Sequence, residues 1–156
     1  MKLHGLLSND LIIPDLRSAS RDDVLKEMSG YLKRTGRIAS DGELFKRLLQ
    51  REMLGTTAIG DGVAIPHCKL DNVVSPVFLL AVSRTGARFD SLDGRPSHIF
   101  FLVVSSPDDP GLSLRILGAI ARLVRGSASL ARRLLDAPDP AAMIEVVREE
   151  EARLHG

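Results

Sequence analysis

Apolar positions in this chain switch from helical spacing to strand-like runs and back again, and those switches predict its elements. Val24, Leu25, Met28, Tyr31 and Leu32 recur every three or four residues. Ser20 precedes them as an N-cap, Asp22 and Asp23 occupy the first turn, and Gly36 stops the run, which together predict a helix. Ser40-Asp41-Gly42-Glu43 has capping-box form. Leu44, Phe45, Leu48, Leu49 and Met53 then mark a second helical stripe that Gly55 ends, with Arg51 in its last turn.

From Thr56 to Pro66 the helical period is lost, and short extended pieces joined by Gly60-Asp61-Gly62 are predicted. Residues 77–82 and 99–104 are continuous apolar runs of strand length, rich in β-formers. Such runs predict central strands covered on both faces. Leu92-Asp93-Gly94-Arg95-Pro96 reads as the turn between them. Leu11-Ile12-Ile13, closed by Pro14, reads as an edge strand. Asp109-Pro110 opens a helix whose buried face is Leu112, Ile116, Leu117, Ile120, Leu123 and Val124. A shorter helix is predicted from Ser127 to Leu135. Asp139-Pro140 starts the last one, with Met143, Ile144 and Val147 inward and the charged tail Arg148-Glu149-Glu150-Glu151 in solvent. Helices, then strands, then helices predict an α/β fold: a three-layer α/β/α sandwich around a mixed sheet of about five strands.

At 156 residues the chain suits one domain spanning 1–156. Its 21 basic and 20 acidic residues leave a net charge of +1, which removes the electrostatic case for nucleic acid or an anionic membrane. With no Trp and one Tyr, base stacking has little to work with. No apolar run approaches the ~18 residues of a membrane span, and the amino end lacks a signal-peptide core. The lone cysteine, Cys68, forms no internal disulfide and builds no thiolate metal site by itself. A cytoplasmic protein is expected.

The chemistry concentrates at Ile65-Pro66-His67-Cys68. Pro66 fixes its own φ at about −65° and holds Ile65 extended, so the imidazole has a restricted direction of approach. Gly55, Gly60 and Gly62 let the backbone come close to a bulky partner. The glycines do not make a nucleotide loop. Ile65 and Pro66 stand where a dinucleotide fingerprint needs its third glycine and helix start, and the Walker Lys-Ser/Thr pair is missing. His67 and Cys68 are neighbours on an extended segment and point opposite ways, so they cannot serve as base and nucleophile for each other. Cys68 reads as a small buried filler. His4, His67, His98 and His155 are too scattered for a metal site. His98 reads as a strand-end residue, and His4 and His155 as parts of mobile termini. No metal or organic cofactor is expected.

Arg51-Glu52-Met53-Leu54-Gly55-Thr56-Thr57, followed by Ile59-Gly60-Asp61-Gly62-Val63-Ala64-Ile65-Pro66-His67, resembles the signature of the IIA domains of the bacterial phosphoenolpyruvate:sugar phosphotransferase system, fructose/mannitol (type 2) class. The order of helices and strands agrees with that class over nearly the whole chain. As a lone IIA domain of this length it most resembles the nitrogen-regulatory members.

The resemblance implies that His67 accepts a phosphoryl group from the phosphocarrier HPr, or from a nitrogen-branch equivalent. The group then passes to a IIB domain, or the phosphorylation state itself is the signal. On that footing the chain is a phosphotransferase component with a transient phosphohistidine, not a stand-alone enzyme. Its partners are the phosphocarrier and a IIB domain or regulatory target. The alternative is a regulatory binding protein whose docking depends on His67 phosphorylation, with little onward transfer. Imidazole suits either role: near neutral pH it keeps a lone pair for in-line attack, and it departs readily when protonated.

Arg51 matches the family's arginine, which can hold phosphate oxygens by paired bonds; a helix-end role satisfying carbonyls suits it equally. Thr56 or Thr57 can add hydroxyl bonds to the same oxygens. Many members carry a second histidine where Ser113-Leu114-Arg115-Ile116-Leu117 begins. The resemblance gives that histidine the task of holding the phosphoryl group or orienting the first. Ser113 keeps a donor but no charge. Cys68 stands where glycine is usual.

Overall fold

In the computed structural model, which describes residues 1–155, the chain opens with two 3-10 turns, Leu3–Leu6 and Asn9–Leu11, and a short strand β1 (Ile12–Ile13). Helices α1 (Arg21–Arg34) and α2 (Asp41–Met53) follow, then three short strands, β2 (Ala58–Gly60), β3 (Val63–Ala64) and β4 (His67–Lys69). Long strands β5 (Val77–Ala87) and β6 (Ser97–Ser105) precede helices α3 (Pro110–Gly126), α4 (Leu130–Asp136) and α5 (Pro140–His155).

The sheet runs β1-β5-β6-β3-β2, and β4 continues along the edge of β6 beyond β3. β5 and β6 are antiparallel, whereas β3 and β4 lie parallel to β6. It is the mixed sheet the sequence predicts. The strand beyond the expected five is β4, which carries His67.

Alternation along the two central strands divides the core. Leu79, Ala81, Phe100, Leu102 and Val104 face Leu25, Met28, Leu32, Leu44 and Leu48 of α1 and α2. Phe78, Leu80, Phe101 and Val103 face Ile116, Ile120, Leu134, Met143 and Val147 of α3, α4 and α5. An aromatic pair locks each side: Phe89 meets Phe100 edge-on at 5.1 Å, and Phe78 stacks on Phe101 at 5.8 Å. Both faces are therefore dry, which is why these strands read as unbroken apolar runs.

Helix ends follow their sequence signals. Ser20 Oγ accepts from Asp23 N at 3.3 Å, and Ser40 Oγ from Glu43 N at 3.1 Å. Only half of the predicted capping box forms, because the Glu43 carboxylate pairs with Arg47 instead. Gly36 has φ +77°, and the amides of Gly36 and Arg37 return to the carbonyls of Lys33 and Leu32, a Schellman ending.

Three expectations are corrected. The inward stripe of α2 is Leu44, Leu48 and Glu52, while Met53 is 70% exposed. The charged tail is not uniformly solvated: Glu150 and Glu151 are buried. Glu151 accepts from the amides of Leu3 at 2.6 Å and His4 at 2.9 Å, so it fastens the first turn of the chain. His4 is accordingly tied down, its Nδ1 lying 2.9 Å from the same carboxylate. Glu150 takes hydrogen bonds from Arg153, Ser127 and Arg133, and the first two do most to lower its pKa to about 2. A buried carboxylate ringed by donors stays charged.

Glu151→Ala strands the buried amide of Leu3 and is expected to lower unfolding stability by about 1–3 kcal/mol. Glu149→Ala, which removes only a surface pair with Arg133, is expected to stay within about 0.5 kcal/mol. Urea titrations at unchanged m-value read the difference.

Candidate functional site

The segment leading to the site leaves α2 at Met53 and turns back toward the sheet. Its anchor is Glu52, whose carboxylate accepts from Thr57 N at 2.9 Å and Thr57 Oγ1 at 2.5 Å. Burial raises the Glu52 pKa, and these two bonds oppose the shift. β2 and β3 then form a tight hairpin. Gly60, Asp61 and Gly62 all take left-handed φ (91°, 56° and 78°), which explains the glycines flanking Asp61. The chain emerges along β6: amides of His98 and Ile99 donate to Gly62 O, and Val103 N donates to Pro66 O.

His67 lies beside Val103 in register, at the start of β4. Its ring folds back so that Nδ1 sits 2.8 Å from the carbonyl oxygen of Ile65. A carbonyl only accepts, so Nδ1 carries the proton and Nε2 keeps the lone pair. Nε2 has no hydrogen-bond partner among the described residues and is not sealed from solvent. Burial lowers the His67 pKa and Arg51 adds to the effect, against the Ile65 bond. Near neutral pH the ring is therefore a neutral imidazole with its free nitrogen available.

His67 borders a cleft of about 460 Å³ over the free edge of β4. The end of α2 makes one wall with Arg47, Gln50, Arg51 and Leu54. The start of α3 makes the other with Pro110, Ser113, Leu114 and Leu117. Leu54 and Leu114 stand on the rim, 85% and 70% exposed. Arg51 Nη1 donates to Gly55 O at 2.9 Å, closing the end of α2 and leaving its other donors for the cleft. Cys68 is half-buried rather than the buried filler expected: it packs against the α1–α2 side of the core and also borders the cleft, and burial pushes its thiol up to about 12. No thiolate is available there.

The structure thus brings together His67, Arg51 and Ser113 of the residues singled out from sequence. It separates Thr56 and Thr57 from them. The Thr56 hydroxyl donates to Phe89 O at 2.7 Å and the Thr57 hydroxyl to Glu52, so neither proton is free for a phosphoryl oxygen in this conformation. Both threonines are structural ties because the chain reverses at Gly55. Sequence reasoning did not single out Arg47 and Lys69, which line the cleft, or the clamp at Glu52. Signals for each existed: Arg47 sits four residues before Arg51 on one helix face, and Lys69 two after His67 on one strand face. Glu52 continues the inward Leu44–Leu48 spacing.

This sandwich is similar to the fold of a solved nitrogen-regulatory IIA protein. The crystal structure of IIA-Ntr from Neisseria meningitidis superimposes with a TM-score of 0.85 at 25% identity, covering 93% of this chain and 98% of that one. The chain belongs to the family described as phosphoenolpyruvate-dependent sugar phosphotransferase system, EIIA 2, which it matches over residues 5–150. It is 36% identical to a nitrogen regulatory protein of Bradyrhizobium diazoefficiens, across 94% of this chain and 95% of that one. It is 29% identical to the fructose-specific EIIABC component of Bacillus subtilis, where 97% of this chain spans only 24% of the relative. Among the described residues no helix is long and apolar enough to cross a membrane.

In a nitrogen-15 NMR titration, His67 is expected to show the Nδ1–H tautomer and a pKa below its ordinary 6.5. Arg51→Ala removes a cation that disfavours the imidazolium, so the pKa should move upward. A wild-type value above 6.5, or a downward shift in the variant, would contradict the geometry.

Proposed function

We propose that this chain carries phosphoryl groups on His67 Nε2, taking them from an HPr-like phosphocarrier. The observation that supports this most is the hydrogen bond from His67 Nδ1 to Ile65 O. It commits one nitrogen to the backbone and leaves the other, with its lone pair, at the cleft. In the step, Nε2 attacks phosphorus in line with the donor's leaving atom. The N–P bond forms, the donor's bond to phosphorus breaks, and that electron pair returns to the donor. Positive charge developing on the ring is shared with Nδ1–H, which the Ile65 carbonyl stabilises. Arg51 meets the negative charge on the phosphoryl oxygens with the donors that Gly55 leaves free.

The reverse sequence hands the group to an acceptor, for which a IIB domain is the proposed partner. Family membership and the cleft between α2 and α3 support the carrier reading. A regulatory reading is favoured by the likeness to a nitrogen regulatory protein across almost its full length. In that case the roughly −2 charge added to the cleft changes which protein docks on it. The two readings are compatible.

Incubation with phosphoenolpyruvate, enzyme I and HPr, followed by peptide mass spectrometry, is expected to add one phosphoryl group at His67. His67→Ala should abolish it. Arg51→Ala should slow uptake roughly 10- to 100-fold, or about 1.4–2.7 kcal/mol. An unmodified wild-type His67 under these conditions would end the proposal. For the regulatory reading, pull-downs with His67→Asp and His67→Ala should recover different partners.

A further inference from the structure

We propose that Lys69 is a phosphoryl-binding residue of this site, supplying the mobile positive charge that Ser113 cannot; the proposal rests on the carrier reading above. Within β4, His67, Cys68 and Lys69 pair in register with Val103, Val104 and Ser105 of β6. Val103 belongs to the core on the α3 side and Val104 to the core on the α2 side. By register His67 and Lys69 therefore present to one face of β4, while the half-buried Cys68 between them points to the other and still borders the cleft at the strand edge. Alternate residues of a strand are ~6.6 Å apart, within reach of a lysine stem, and both residues line the same cleft.

The other cations of the cleft are already engaged. Arg51 has one arm on Gly55 O at 2.9 Å, and Arg47 Nε lies 3.2 Å from a Glu43 carboxylate oxygen. Lys69 is exposed and forms no ion pair among the described residues. An arriving phosphoryl group brings a charge of about −2. One arginine with a committed arm leaves part of that unmet, and the Ser113 hydroxyl brings a dipole only. A lysine ammonium is a compact charge with three rotating donors on a flexible stem, which fits a group that arrives and departs. Lys69 makes and breaks no covalent bond: its ammonium donates to phosphoryl oxygens while the N–P bond forms at Nε2.

The test compares wild type, Lys69→Ala and Lys69→Arg, loaded with phosphoenolpyruvate, enzyme I and HPr. Two readouts are taken: the rate of phosphoryl uptake, and the phosphorus-31 NMR titration of the phosphoryl group on His67. Lys69→Ala should slow uptake about tenfold and raise the pH at which the phosphoryl group reaches its dianion, because a cation beside it favours that form. Lys69→Arg should restore both. A side chain with only a structural role does not move the phosphorus titration. Lys69→Ala that matches wild type in both readouts, on a fully loaded His67, overturns the inference and leaves the carrier reading standing. Lys69→Arg as impaired as Lys69→Ala also overturns it. A wild-type His67 that takes no phosphoryl group overturns both readings together.

Discussion

The hydrogen bond from His67 Nδ1 to the Ile65 carbonyl is the constraint on which the rest of the site depends. It is a two-residue loop-back, and it forms only if the backbone before the histidine is held in place. Pro66 removes one torsional freedom, and its own carbonyl is fixed by the amide of Val103. Ile65 N is fixed by Thr57 O at 3.0 Å, and Thr57 is fixed by Glu52. The tautomer of one imidazole thus traces back, bond by bond, to a glutamate buried at the end of α2. The burial that raises the Glu52 pKa is the same burial that keeps the clamp dry and the geometry rigid.

The sheet gives this arrangement its position. β4 has β6 on one side and no strand on the other, so the histidine sits where a layered fold runs out of strands. The ends of α2 and α3, packed on opposite faces of the sheet, both reach that edge and wall the cleft. A histidine one strand further in would be covered on both faces like Phe100 or Phe101, and no protein partner could reach it. The two-sided core and a half-buried histidine at the cleft are consequences of one topology.

Much of this was legible in the residues. Helical stripes, caps at Ser20, Ser40, Asp109 and Asp139, and the doubly covered central strands follow from spacing and turn chemistry. The histidine was legible from Pro66 and the glycines around it. What escaped depends on non-local contact. Thr56 and Thr57 are placed by a chain reversal that brings them onto Phe89 and Glu52, and no local pattern encodes that. Glu150 and Glu151 read as a solvated tail because charges at a helix end usually are. Their burial requires Arg133, Arg153, Ser127 and the first turn of the chain to meet there. Lys69 was within reach of simple strand alternation.

A carrier must hold its cargo without keeping it, and the electrostatics of the cleft fit that requirement. A deeply buried pair of bidentate arginines would bind a phosphoryl group strongly and release it slowly. Here the cations are an arginine that shares itself with Gly55, another shared with Glu43, and an exposed lysine. Solvent reaches them and screens their charge. The imidazole is neutral before transfer, since burial and Arg51 both oppose its protonation, so it attacks well. On the proposed carrier reading, once Nε2 carries the phosphoryl group the ring that keeps its Nδ1 proton is cationic and can leave as neutral imidazole, and the Ile65 carbonyl stabilises that charge. In the proposed carrier role that single bond serves both directions of transfer: it leaves Nε2 to accept, and it keeps the ring a competent leaving group.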